Sequence, residues 1–263
     1  MAAEIADMLR SGEIEVATRE RLKEYARRHK IYALHKRAAK LNAEVDCKRS
    51  KTTPLSKGAA YLPTLLSMLT LMKVDRTASG FVAQQVDRVR MHANAQRYLD
   101  GLRTQLVGTP AQFMTYYEPL VKSGWHSGGL ERGKNKVATN GPVFQDGLRD
   151  LYAQLQVNPR LSAKDAYSLL HNYLSRVPYA GTNVLTEALH TFDPLRFAVM
   201  NQNSVSGMTL AGYRTFPEKP NKGNVDATLY ADFCTKAKLV CMSLGLADLS
   251  ELDALFNYAY WGN

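Results

Sequence analysis

From about residue 61 to the C-terminus, apolar residues recur every three or four positions, and no run alternates apolar with polar over the length of a strand. That spacing buries one stripe of a helix, whereas a half-buried strand needs a period of two. The pattern predicts an all-α chain built as two helical subdomains. Helices are expected over residues 20–45, 61–73, 80–106, 111–121, 144–155, 162–175, 183–191, 204–211, 225–244 and 249–260. Ser162 with Asp165 reads as a capping box, Thr182 as a cap for the next helix, and Asp248 or Ser250 as a cap for the last. No internal repeat is present.

The chain has 263 residues, 45% of them hydrophobic, enough to bury a core without staples. Three cysteines, none in a C-x-x-C pattern, exclude a disulfide framework and argue against a cysteine-held zinc or iron–sulfur cluster. No metal or cofactor is expected. The N-terminus is acidic and amphipathic, unlike a signal peptide, and the longest apolar stretch is broken by Pro63, Thr64, Ser67 and Thr70. A soluble, cytoplasmic protein is the expectation.

The net charge of +10 is clustered. Residues 19–51 hold twelve basic side chains against four acidic, while residues 158–263 hold nine of each. A clustered basic stretch suits a polyanion, most simply a nucleic-acid backbone, because each Lys or Arg displaces a condensed counterion. A solvated helix face accounts for it equally well, and a membrane surface less so for want of a broad apolar face. Residues 123–142 add Arg132, Lys134 and Lys136, with Trp125 and His126, to a run containing five glycines. This reads as a loop that grips a strand by charge and stacking, or as a plain interdomain linker. The expected organisation is a basic helical region over 1–122, the Gly-rich basic loop over 123–142, and a second helical region over 143–263, joined as one two-lobed unit.

Residues 177–205, VPYAGTNVLTEALHTFDPLRFAVMNQNSV, carry the most information. Pro178 ends one helix, Gly181 permits a tight turn, and the N–H groups of Gly181, Thr182 and Asn183 open the next helix as a ready site for one phosphate. An ordinary helical hairpin needs the same punctuation. The segment resembles the helix-hairpin-helix superfamily of DNA glycosylases, in which a turn L-P-G-V-G-x-K-T is followed by a helix and a loop ending V-D-T-H. Residues 177–184 lie over the turn and residues 199–203 over the end of the loop. The family's spacing of eighteen residues from lysine to aspartate falls on Asn183 and Asn201.

The departures are informative. Asn183 replaces the lysine that forms a Schiff base in some members, so lyase activity is not expected. Asn201 replaces the aspartate that supports the cationic sugar, and Tyr179 replaces the first hairpin glycine. The resemblance implies a monofunctional DNA glycosylase that flips one base from double-stranded DNA. Residues 192–205 and the C-terminal Leu255–Trp261 run are similar to helical domains of bacterial phage-defence proteins, including glycosylases that remove glucosylated hydroxymethylcytosine from phage DNA. The alternative is a non-catalytic DNA-binding module of a defence or restriction system.

The candidate catalytic residues are Asn201, able to orient water, and Asp193, whose Asp-Pro context also reads as a turn. Glu187 lies either at the surface or toward the site. Candidate DNA contacts are Tyr179, Gly181, Thr182, Asn183, Arg132, Lys134 and Lys136. Gln202 and Asn203 are candidate base-pocket residues, able to read a base edge or, with Asn201, to cap the following helix. Tyr179, Trp125 or Trp261 would fill the gap or stack on the base. The histidines, His171 and His190 included, read as ordinary surface or core residues.

Overall fold

The structure, a computed structural model, describes residues 62–261, so the basic segment 19–51 lies outside the described residues. Among the described residues the architecture is all-α, without strands. In chain order the helices are α1 (Leu62–Val74), α2 (Phe81–Thr104), α3 (Pro110–Ser123), α4 (Lys134–Ala138), α5 (Gly141–Val157) and α6 (Ala163–Leu174), then α7 (Thr182–Phe192), α8 (Gln202–Leu210), α9 (Ala227–Ser243) and α10 (Leu249–Trp261). A single 3₁₀ turn, Gly128–Glu131, precedes α4.

These helices form one compact unit around one continuous apolar core that runs from Leu65 in α1 to Tyr258 in α10. No break falls at residues 123–142. The expected Gly-rich loop instead holds the 3₁₀ turn and α4, and its Trp125 is buried with Nε1–H donating to Thr191 Oγ1 at 3.1 Å. Glycines suggested an open loop because they are costly inside helices. Here Gly124, Gly133 and Gly141 serve close packing instead. Gly133 adopts φ +77°, and a Cβ there would lie 2.3 Å from the ring of Tyr179.

Helix starts follow local chemistry. Ser162 Oγ accepts from Asp165 N–H at 3.1 Å, and its hydroxyl donates to the Asp165 carboxylate at 2.7 Å. Asp248 rather than Ser250 caps α10, accepting from the N–H groups of Ser250 and Glu251 at 2.8 and 2.9 Å. Thr182 is not a cap: Gly181 holds that position, and Thr182 is the buried first residue of α7.

The position of α7 shapes everything near it. It packs against α6 and α2, and of its eleven residues only Asn183 and Phe192 escape full burial. α8 packs against α10 so closely that a Cβ on Gly207 would meet the Phe256 ring at 2.1 Å. Gly207→Ala is therefore expected to destabilise the fold by about 1–3 kcal/mol through overpacking, measured by chemical denaturation. Unchanged stability would mean that α8 and α10 do not approach in this way.

Candidate functional site

α7 carries Glu187 and His190 one turn apart, and both are buried. A carboxyl and an imidazole inside the core each need partners, because an unpaired buried polar group costs free energy. Glu187 Oε1 accepts from the Ser127 backbone N–H at 2.9 Å. The Ser127 hydroxyl oxygen in turn accepts from Asn201 Nδ2 at 3.1 Å. Asn201 Oδ1 accepts from Ser204 N–H at 2.9 Å, and Ser204 Oγ accepts from Asn201 N–H at 2.9 Å, completing a capping box on α8. Asn201 is thus both the cap of α8 and a link to the Glu187 carboxyl through Ser127.

A second branch meets this one from α2 and α10. Arg88 Nη1 donates to Asp253 Oδ2 at 2.7 Å, with the two side chains only 7% and 4% exposed. Asn257 Nδ2 donates to the Asp253 carbonyl and to Oδ2 at 3.0 and 3.1 Å, and Asn203 Nδ2 donates to Asn257 Oδ1 at 2.5 Å. Arg88 Nε and Asp253 Oδ1 remain buried without a hydrogen-bond partner. Native interiors rarely leave such groups unsatisfied, and each calls for an explanation.

Burial and the neighbouring charges shift Glu187 and the histidines. Burial pushes the Glu187 carboxyl up to about 8, and the Asp253 charge adds to the rise. Glu187 is therefore largely protonated at neutral pH. The backbone N–H of Ser127 and the charge of Arg88 pull the other way without cancelling burial. His190 Nδ1 faces the Phe197 carbonyl at 2.7 Å, so that nitrogen carries the proton. Nε2 then accepts from the Ser250 hydroxyl at 2.9 Å. Burial lowers the pKa of His190, and lowers that of His126 further with help from the charge of Arg88. Burial also lowers His92, against an upward pull from Asp248. With these histidines neutral, the positive charge of the cluster rests on Arg88.

The residues expected from the sequence divide sharply. Asn201 and Asn203 belong to the network, whereas Gln202 is exposed on the outer side of α8. Asp193 is a turn residue: its Oδ1 accepts from Leu195 N–H at 3.0 Å and its Oδ2 pairs with Arg196. Thr182 is buried. Trp125 is buried too, so it cannot stack on a base, while Trp261 is 61% exposed. Tyr179 is exposed with φ 63° and packs on Gly133, which joins the hairpin turn to the segment carrying Arg132, Lys134 and Lys136. Lys134 is ion-paired with Glu118, and Arg132 and Lys136 are exposed. Nothing lies within 4 Å of a Cβ built on Gly181, so space is open before the first N–H groups of α7.

Arg88, Ser127 and Asp253 were not singled out as site residues in the sequence, and His126 was named only as part of the basic loop. The available signal was Glu187 with His190 at one-turn spacing on the polar side of an amphipathic helix. Among the described residues, no group of three His, Cys, Asp or Glu side chains is placed to hold a metal, and no helix is long and apolar enough to cross a membrane. Comparison with protein-family models, curated proteins and solved structures finds no match for the chain.

The raised Glu187 pKa has a consequence for stability. The unfolded group titrates near 4.5 and the folded group near 8, so the unfolded state releases its proton first as pH rises. The stabilisation is complete below 4.5 and is lost up to about 8, at a slope approaching about 1.4 kcal/mol per pH unit. Urea denaturation of wild type and Glu187→Gln is expected to give curves that converge toward acid, with wild type losing stability relative to the variant as pH rises to 8. Parallel curves would mean that Glu187 is not buried as a neutral acid.

Proposed function

We propose that the chain is a monofunctional DNA glycosylase that hydrolyses the N-glycosidic bond of a modified base and leaves an abasic site. The observation that carries this reading is the buried Glu187 carboxyl, raised to about 8, near enough to the buried Arg88–Asp253 ion pair to be shifted by both charges. A neutral buried acid near an ion-paired carboxyl can supply a proton donor and an anion to one reaction.

In the proposed reaction the hairpin seats a phosphate at Gly181 and Asn183, with Arg132 and Lys136 along the same strand. The target nucleotide leaves the stack. As the bond from C1′ to the base nitrogen breaks, its electron pair leaves with the base, and Glu187 gives its proton to the departing ring. The Asp253 carboxylate stabilises the positive charge on the sugar and then takes a proton from the water that adds to C1′. Proton exchange from Asp253 to Glu187 restores the starting state. Asn183, which has no amine, forms no Schiff base, so the product keeps an intact strand. Asn201 acts through Ser127 as a positioning residue.

The substrate class proposed is glucosylated hydroxymethylcytosine in phage DNA, on the strength of the resemblance over residues 192–205, with defence of the bacterial cytoplasm as the role. The test is incubation with duplexes carrying cytosine, hydroxymethylcytosine or its glucosylated form, followed by mass analysis of released base and alkaline strand cleavage. Base release is expected, reduced about 10²–10⁴-fold in Glu187→Gln, with DNA binding kept. No release across a panel of modified and damaged duplexes would overturn the reading.

A further inference from the structure

α2 carries an apolar stripe on its outer side. Val82, Val86, Val89 and Ala93 follow one another at spacings of four, three and four residues, which puts them on one face of the helix. The valines are 67%, 69% and 73% exposed, and Ala93 is exposed as well. Single apolar residues at a surface are ordinary, but β-branched side chains repeated at this spacing form the seam along which two helices pack.

The stripe has flanks of unlike charge. Arg90 and Arg97 lie along one side of it, both exposed, and the surface pair of Arg90 with Asp87 holds it only weakly. Gln85 and His92 lie along the other side, where the start of α10 adds Glu251 and Asp248. Glu251 accepts from Gln85 Nε2, and Asp248 acts on the charge of His92. Among the described residues these two carboxylates accept from neutral donors only: Glu251 from Gln85 and the Ala247 N–H, Asp248 from the N–H groups of Ser250 and Glu251. Between the stripe and α10 opens a cavity of about 680 Å³, with apolar walls from Phe81, Ala93, Pro194 and Ala254. Arg88 lines it too but is already paired with Asp253. Apolar walls that end at carboxylates suit a long basic side chain, whose aliphatic stem covers the wall while its charged head stays at the rim.

A second copy of the chain carries the matching parts. When two α2 helices lie side by side and parallel, the flank of one faces the opposite flank of the other. Gln85 of one copy then faces Arg90 of the second copy, and His92 faces Arg97. Glu251, beside Gln85, meets Arg90, and Asp248, beside His92, meets Arg97. The antiparallel arrangement sets arginine against arginine and carboxylate against carboxylate, which is repulsive. We infer that the chain forms a two-fold dimer through the Val82–Val86–Val89 face of parallel α2 helices, with Arg90 and Arg97 of each copy entering the α2–α10 cavity of the other. The same patch then serves on both copies, as a two-fold contact requires. This inference does not depend on the glycosylase reading.

The experiment is sedimentation equilibrium of the full chain over about 1–500 µM, where wild type is expected to dimerise with a Kd of about 1–100 µM, as a small non-obligate contact does. Val86→Lys is expected to raise Kd about tenfold or more. The control Val157→Lys alters a valine of α5 that is 83% exposed and is expected to leave Kd unchanged. Matching thermal midpoints establish that the variants fold alike. Arg90→Glu and Glu251→Arg each set like charges together in both flanking contacts and are each expected to weaken the dimer about fivefold or more. An equimolar mixture of these two variants restores opposite charges in every contact and is expected to associate as wild type does. Wild type that stays monomeric throughout the range, or a dimer untouched by Val86→Lys, overturns the inference. Single charge variants that associate as wild type does, or a mixture that fails to recover association, overturn it as well, because the parallel pairing requires both effects.

Discussion

Burying the Glu187 carboxyl within α7 costs free energy at neutral pH, and the neighbouring elements are arranged to keep that cost bearable. Burial raises the group to about 8, so it enters the core as a neutral acid. Ser127 N–H supplies one hydrogen bond, and Asn201 holds Ser127 from the start of α8. Arg88 and Asp253 bring their charges in together, which spares each the larger cost of burial alone. Removing either partner would leave an unpaired charge in the interior. The cluster thus ties α2, α7, α8 and α10 to the segment that carries Ser127.

The same arrangement connects the interior to the surface. The residues between α3 and α4 are not a tether between lobes. They run past α7, placing Trp125 on Thr191 and Ser127 on Glu187, and then reach the hairpin turn through Gly133 and Tyr179. A strand bound at that turn would therefore act on the same segment that supports the acid. In the proposed reaction this couples phosphate contact to the geometry of the carboxyl cluster. Asn201 is held in place by the same network: its amide oxygen is committed to the helix cap and its Nδ2 donates to Ser127.

The fold was largely legible because helices leave a local record. Period, proline and cap residues placed α6 through α10 within a few residues of where they lie, down to Ser162 and Asp248. The Gly-rich segment misled because glycine's freedom is local, while its use here, close approach of Tyr179 to Gly133, is tertiary. The site was less legible for a related reason. In sequence, Thr182, Thr186, Glu187, His190 and Thr191 look like the wet face of an amphipathic helix, yet α7 is covered on that side too. Arg88 and Asp253 lie 165 positions apart, and no local pattern marks them as partners. Asp193 drew attention by its place in the family-like segment, yet its carboxylate is spent on its own turn.

The central claim is that Glu187 is an acid kept protonated at neutral pH by its burial. Its titration, followed by carbon-13 NMR of the side-chain carboxyl in protein labelled at glutamate, with Glu187→Gln assigning the resonance, tests this most directly. The account expects a midpoint near 8. A midpoint at the ordinary glutamate value of about 4.5 would contradict it, leaving the cluster without an acid to give.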